Sequence, residues 1–278
     1  MKYLRWSLMA VVALLAGTVR AAESAVAITP ELRGAWVVPD TGWDGRAVLL
    51  LHGFASDMDD AGGMFRRVAE ALAARGIASL RINFRGEGDA RRTRIESTFG
   101  TRLEDTAAAH AWLAGQRGVQ AGRVGVLGFS LGASTAIETG ARHPEWFRTM
   151  AVWSSPGGDQ FAMYAADETA RKALRDGVAT EDVPGWKKIT TRREFYESFR
   201  GIDLDKSLAK YPGAFLTVRG TQDMLAQHDD AFLKIAPGRP AEKLIIEGAD
   251  HIFRVFEPGL GHAQRAVEAT AAWFGRTL

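Results

Sequence analysis

The sequence predicts an α/β fold: a mostly parallel sheet covered by helices on both faces, with a helical segment inserted late in the chain. Three observations carry this. Strand-like and helix-like segments alternate from about residue 30 onward, the pattern of a parallel sheet wrapped by helices. The strand-like runs are continuously apolar, as strands buried on both faces are. The length, 278 residues, suits one large α/β domain better than two independent ones.

The first run is Ala47-Val48-Leu49-Leu50-Leu51. A polar, glycine-containing loop follows, then a helix whose apolar residues Phe65, Val68, Ala69 and Leu72 recur at helical spacing, with Gly76 placed to cap its end. Ile77 to Phe84 reads as the next strand, Leu103 to Leu113 as a helix, Val124 to Leu127 as a strand and Leu131 to Arg142 as a helix. Met150 to Trp153, Phe215 to Val218 and Leu244 to Ile246 complete the strands, and a closing helix presents Ala263, Ala266, Val267, Ala271 and Phe274. The rhythm breaks once. Between Trp153 and Phe215 lie about sixty residues, far more than a strand–helix–strand linkage needs. This stretch is charged and helix-prone over Asp167 to Arg175 and Arg192 to Arg200, and carries Phe161, Tyr164, Trp186, Phe195, Tyr196 and Phe199. It is expected to be an inserted cap, residues 154–211, over the carboxyl edge of the sheet.

The amino terminus reads as an export signal over residues 1–21, leaving a domain of residues 22–278. Lys2 and Arg5 precede a mainly apolar run from Trp6 to Gly17, and Val19-Arg20-Ala21 is a small-x-small cleavage site. About a dozen apolar residues are too few for the ~20 of a spanning helix, so a secreted or periplasmic protein without a stable membrane anchor is expected. The chain holds 35 Lys and Arg against 33 Asp and Glu. Lys2, Arg5 and Arg20 belong to the signal, so the remainder is close to neutral and offers no long-range attraction to nucleic acid. Cysteine is absent, which excludes disulfides, a thiol nucleophile and thiolate metal sites. No H-x-x-x-H or similar ligand spacing occurs, and no cofactor is expected.

Gly128-Phe129-Ser130-Leu131-Gly132 is a G-x-S-x-G pentapeptide set between a buried strand and a helix. That context lets the flanking glycines bring strand and helix close while the serine hydroxyl is held in the open. A serine hydroxyl needs a base. His251 follows the strand Leu244 to Ile246 at its carboxyl end, where an open sheet places its site. His110 lies within a helix pattern, His143 ends one, His262 begins the last helix, and His228 lies in a polar loop. The base needs an acid to orient it, expected between Ser130 and His251 and just after a strand. Asp223, in Arg219-Gly220-Thr221-Gln222-Asp223, fits; Asp229 and Asp230 remain alternatives, while Asp250 adjoins His251 and would point away from its ring. Donors for a developing oxyanion are expected from the backbone N–H of Leu131 and of Phe54, which follows His52-Gly53 after the first buried run. His52 reads as a hydrogen bonder that shapes this loop.

Leu51-His52-Gly53-Phe54, Asn83-Phe84-Arg85-Gly86-Glu87-Gly88-Asp89, Gly128-Phe129-Ser130-Leu131-Gly132, Gly220-Thr221-Gln222-Asp223 and Glu247-Gly248-Ala249-Asp250-His251 occur in the order seen in α/β-hydrolases. The chain resembles their cinnamoyl/feruloyl esterase and monoacylglycerol-lipase-like branch. Phe129 stands where members often carry histidine before the nucleophile. The resemblance implies a serine hydrolase, a carboxylesterase acting through an acyl-serine intermediate, with Ser130, Asp223 and His251 as triad and Phe54 and Leu131 as oxyanion donors. A peptidase, thioesterase or acyltransferase uses the same triad. Aromatics in the expected cap, Phe195, Tyr196 and Phe199, are candidates to bind a small ester with an apolar or aromatic acyl group.

Overall fold

A computed structural model describes residues 21–89, 91–183 and 185–278. All but the last residue of the expected export signal lie outside them. Among the described residues ten strands are formed: β1 (Ala21–Ala27), β2 (Arg33–Pro39), β3 (Ala47–Leu51), β4 (Ala78–Asn83), β5 (Val124–Phe129), β6 (Thr149–Trp153), β7 (Val178–Asp182), β8 (Lys188–Arg192), β9 (Ala214–Gly220) and β10 (Ala241–Ile246). The helices are α1 (Met64–Ala73), α2 (Phe99–Ala114), α3 (Leu131–Arg142), α4 (Gln160–Ala165), α5 (Glu168–Asp176), α6 (Arg193–Glu197), α7 (Leu204–Leu208), α8 (Asp229–Ile235) and α9 (His262–Thr277).

Eight strands make one sheet in the order β1-β2-β4-β3-β5-β6-β9-β10. From β4 to β10 every pairing is parallel, and β1 and β2 join antiparallel at one edge. Successive side chains of a strand point to opposite faces, and the continuously apolar runs put both faces to use. Ala47, Leu49 and Leu51 of β3 face a core shared with α2 and α3, as do Val126 of β5 and Val152 of β6. Val48, Leu50, Leu127, Ala151 and Trp153 face the opposite core, filled by α1 and α9. The parallel arrangement gathers the carboxyl ends of β3, β5, β6, β9 and β10 along one edge, and that edge carries the site.

Two parts of the fold depart from the expectation. The strands β1 and β2 were not expected as part of the strand set; β1 is rich in alanine and largely exposed on both faces, and such a sequence has little strand signal of its own. Its pairing with β2 runs the length of both strands. Between β6 and β9, where only helices were expected, β7 and β8 form an antiparallel hairpin. Val178 and Thr180 on one strand and Ile189, Thr190 and Thr191 on the other are the β-branched residues that favour it. The helix expected over Arg192 to Arg200 is correspondingly short, five residues of α6. This inserted segment reaches the carboxyl edge of the sheet: Lys187 Nζ donates to the carbonyls of Ala55 (2.6 Å) and Arg92 (2.9 Å), and Ser134 Oγ of α3 donates to Gln160 Oε1 of α4 (3.1 Å). Among the described residues no helix is long and apolar enough to cross a membrane.

Candidate active site

Ser130 sits on the turn that joins β5 to α3, with φ +53° and ψ −117°, a backbone conformation that residues other than glycine rarely adopt. The two glycines around it make the turn possible. A Cβ on Gly128 would lie 2.3 Å from the Gly132 carbonyl oxygen, and one on Gly132 would lie 1.9 Å from the Leu51 oxygen and 2.6 Å from that of His52. Both partners are backbone, so neither moves aside cheaply. Gly132→Ala is therefore expected to lose stability at or beyond the upper end of the ~1–3 kcal/mol of ordinary overpacking. Gly122→Ala, where nothing lies within 4 Å, should stay within about 0.5 kcal/mol of the parent. Urea unfolding of the two variants tests this, and equal midpoints would show that the turn has room for a side chain.

The Ser130 hydroxyl donates to Nε2 of His251 (3.0 Å), and His251 Nδ1 donates to Asp223 Oδ1 (2.7 Å). These three residues come from the ends of β5, β10 and β9. The His251 ring packs at a tilt against Phe129, with centroids 5.2 Å apart, and its own carbonyl accepts from Ser154 Oγ (2.9 Å) just after β6. Asp223 Oδ1 also accepts the Leu225 N–H (2.9 Å), and Oδ2 accepts from Arg219 Nη1 (3.0 Å). Burial by itself would raise the Asp223 carboxyl. The hydrogen bond and charge of His251, the Leu225 N–H and Arg219 outweigh it, and the group lies below the ordinary carboxylate range. It is a carboxylate at neutral pH, able to fix the ring's tautomer and to stabilise an imidazolium.

The alternatives fall elsewhere. Asp229 is buried, but its oxygens are taken by Thr217 Oγ1 and by Arg219 Nε (2.7 Å). Asp230 is exposed and paired with Lys243. Asp250 accepts the N–H groups of Ile252 (3.1 Å) and Arg254 (2.8 Å), folding its own loop. His110 and His143 each stack on Trp146, with ring centroids 4.4 Å and 3.7 Å away. His228 meets Asp205 (2.7 Å), and His262 opens α9.

The loop after β3 lies against the elbow, since a Cβ on Gly53 would be 3.1 Å from the Phe129 ring. It is held from both sides of Phe54. The Gly53 N–H donates to Asp60 Oδ2 (2.7 Å) and the Ala55 N–H to Glu87 Oε2 (2.8 Å). Among the described residues the N–H of Phe54 has no protein acceptor, and neither has that of Leu131, the first residue of α3, whose N–H has no partner within the helix. Beneath the loop, Arg102 is fully buried. It donates to Glu87 Oε1 (2.6 Å), to Thr135 Oγ1 (3.2 Å) and to the His52 carbonyl, and lies 3.8 Å over the Phe84 ring. Burial alone would raise Glu87, but the Arg102 charge, the Ser97 hydroxyl and the Ala55 N–H hold it low. Burial, with Arg102 nearby, pushes His52 down to about 4. The ring is thus neutral at pH 7: Nε2 accepts the Phe84 N–H (3.1 Å), which leaves the proton on Nδ1, facing the Gly53 carbonyl at 2.8 Å. His52 shapes the loop, as its place in the sequence suggests.

Phe195, Tyr196 and Phe199 are buried together around Tyr164. Phe195 is the one that packs on Phe54, at 5.1 Å; Phe199 instead packs on Phe99 at 4.8 Å, and Tyr196 Oη donates to Thr191 Oγ1 (3.3 Å). Four residues of the site were not singled out from the sequence: Asp60, Glu87 and Arg102 under the loop, and Arg219 beside Asp223. A signal existed for Arg219. An arginine that directly extends the apolar run Phe215 to Val218 is buried with the strand and must then meet counter-charges.

Comparison with known proteins agrees with this architecture. A family model described as serine aminopeptidase, S33, matches residues 45–175. Uncharacterized proteins from two strains of Mycobacterium tuberculosis are 34% identical over 112 residues, 40% of this chain; the match spans only 37% of the relatives' own length. Among solved structures, Est1E from Butyrivibrio proteoclasticus, with ferulic acid bound, superposes with a TM-score of 0.72 at 18% identity, covering 88% of this chain and 95% of that one. A dienelactone hydrolase from Anabaena variabilis superposes at 0.62 with 18% identity over 94% of this chain and 99% of its own. At such identities the structures share the fold, with the same doubly covered, mostly parallel sheet. In its fold and its elbow the chain is similar to the α/β-hydrolases.

Proposed function

We propose that the protein is an exported serine hydrolase that cleaves a carboxylic ester of small size through an acyl-Ser130 intermediate. The observation that carries this reading is the unbroken relay from Ser130 Oγ through His251 to Asp223, set beside two backbone N–H groups without protein acceptors. His251 Nε2 takes the hydroxyl proton as Ser130 Oγ attacks the carbonyl carbon. The oxyanion is received by the N–H groups of Phe54 and Leu131, which are in place before charge develops. Collapse of the adduct expels the alcohol, which takes the proton from His251. Water, deprotonated by the same ring, then releases the acid and restores Ser130. A fluorophosphonate adduct on Ser130, together with turnover of a panel of acyl-varied esters, a feruloyl ester, a thioester and aminoacyl anilides, tests the proposal. Absence of both adduct and turnover would overturn it. The match to the serine aminopeptidase model favours one second reading, an aminopeptidase, and preferential cleavage of the aminoacyl anilides would select it.

The acyl group is proposed to be apolar or aromatic, with Phe54 and Phe195 on its side of the site; a neighbour of this fold was solved with ferulic acid. Phe195→Ala is expected to change relative kcat/KM between feruloyl and acetyl esters by an amount equivalent to about 1–3 kcal/mol. Phe199→Ala, which removes a ring packed away from Phe54, should lower stability by about 3–5 kcal/mol and leave that ratio near its parent value. Equal ratios in the parent and Phe195→Ala would remove Phe195 from substrate selection.

A further inference from the structure

Arg219 stands last but one in β9, and its side chain is fully shielded from solvent. Its guanidinium has five N–H donors in a planar fork, and the structure uses three directions of it. Nη1 meets Asp223 Oδ2 (3.0 Å), Nε meets Asp229 Oδ2 (2.7 Å), and Nη2 donates to the carbonyl of Ser155, at the end of β6. Asp229 is held in turn by Thr217 Oγ1, two residues before Arg219 on the same face of β9. The side chains of Asp223 and Asp229 are also shielded, at 0% and 4% exposure. A cation bridging two buried carboxylates leaves the group one negative charge overall, and that charge faces the His251 ring through Asp223 Oδ1.

We propose that Arg219 is a positioning residue for the His251–Asp223 couple, with Asp229 as its anchor and counter-charge. Two jobs are divided between the two aspartates. Arg219 occupies Asp223 Oδ2 and so turns Oδ1 toward His251 Nδ1. Taken alone it would also neutralise Asp223 and weaken its hold on an imidazolium; Asp229 offsets that positive charge and keeps the couple anionic. This inference rests on the triad reading above for its catalytic meaning, while the geometry and the titration it predicts do not. Other charged or titratable groups surround the couple: Asp250 and Arg254 on the His251 loop, the latter turned to Gln222 and Glu257, the Asp205–His228 pair where α7 meets the loop before α8, and His262 at the start of α9. None of them bonds Asp223 or Arg219.

The test uses the full chain, with the His251 ring titrated by NMR on ¹⁵N-histidine-labelled protein without substrate, and ester kinetics measured separately. Asp229→Asn removes the offsetting charge in a nearly isosteric side chain. It should move the His251 titration to lower pH by about half a unit or more. Arg219→Lys keeps the charge but cannot span both carboxylates and the Ser155 carbonyl. It should lower kcat about tenfold or more with KM within about threefold, because the ring is misdirected while the substrate contacts stay. A titration in Asp229→Asn unchanged from the parent overturns the inference, even where the melting temperature falls, for the network would then only be holding the fold. Parent-like kcat in Arg219→Lys overturns it as well. Should Arg219→Lys fail to fold, the Asp229→Asn titration decides. A parent protein that turns over no ester counts against the functional reading alone, since the titration is read without turnover.

Discussion

Ser130→Ala should abolish ester turnover, by roughly 10⁴-fold or more in kcat, while the protein stays folded. The hydroxyl makes one side-chain contact, to His251 Nε2, and the ring keeps its orientation through Asp223 without it. The backbone bond from the Ser130 N–H to the Trp153 carbonyl (2.9 Å) does not involve the side chain. Alanine also meets the same positive-φ strain as serine, so the elbow has no new reason to rearrange. Steady-state kinetics, an unchanged melting temperature and loss of the fluorophosphonate adduct measure the three parts. Retention of more than a few per cent of activity would move the nucleophile elsewhere.

Asp223→Asn should be nearly as severe, roughly 10⁴-fold in kcat at neutral pH. The amide keeps the volume, but one of its two heteroatoms is now a donor. Arg219 Nη1 and the Leu225 N–H both demand acceptors there, so the amide nitrogen has no comfortable place, and the ring loses the anion that stabilises its protonated form. Asp230→Asn serves as the comparison: that carboxylate is exposed and paired only with Lys243 across the surface, so its loss should leave kcat within about twofold. The assignment fails if Asp223→Asn is active and Asp230→Asn is not.

Much of this protein was legible in its residues because the relevant physics is local. Continuous apolar runs bounded by polar loops demand strands buried on both faces, and β3, β5, β6 and β9 follow them closely. The Gly128–Gly132 elbow is a steric requirement written within five residues. His251 was separable from the other histidines by its place after a strand, and Asp250 from the acid role by being its neighbour. Each of these needs only sequence distance and backbone geometry.

Other features depended on which groups share a buried volume. The edge strand β1 is held by pairing with β2, not by its own alanines, and the hairpin of β7 and β8 displaced part of a plausible helix. Asp223 and Asp229 lie six residues apart after the same strand, and both were admissible partners for His251. The fold separates them by placing the buried Arg219 between their carboxylates and Thr217 under Asp229, leaving one oxygen of Asp223 for the ring. Likewise Phe195 and Phe199 are one helical turn apart, yet only Phe195 packs on Phe54. The residues determine strands, elbow and chain order through short-range sterics and hydrophobic periodicity. The tertiary structure decides how buried donors and acceptors are shared out, because in a low-dielectric interior each charge must take its partners from whatever the packing brings within reach.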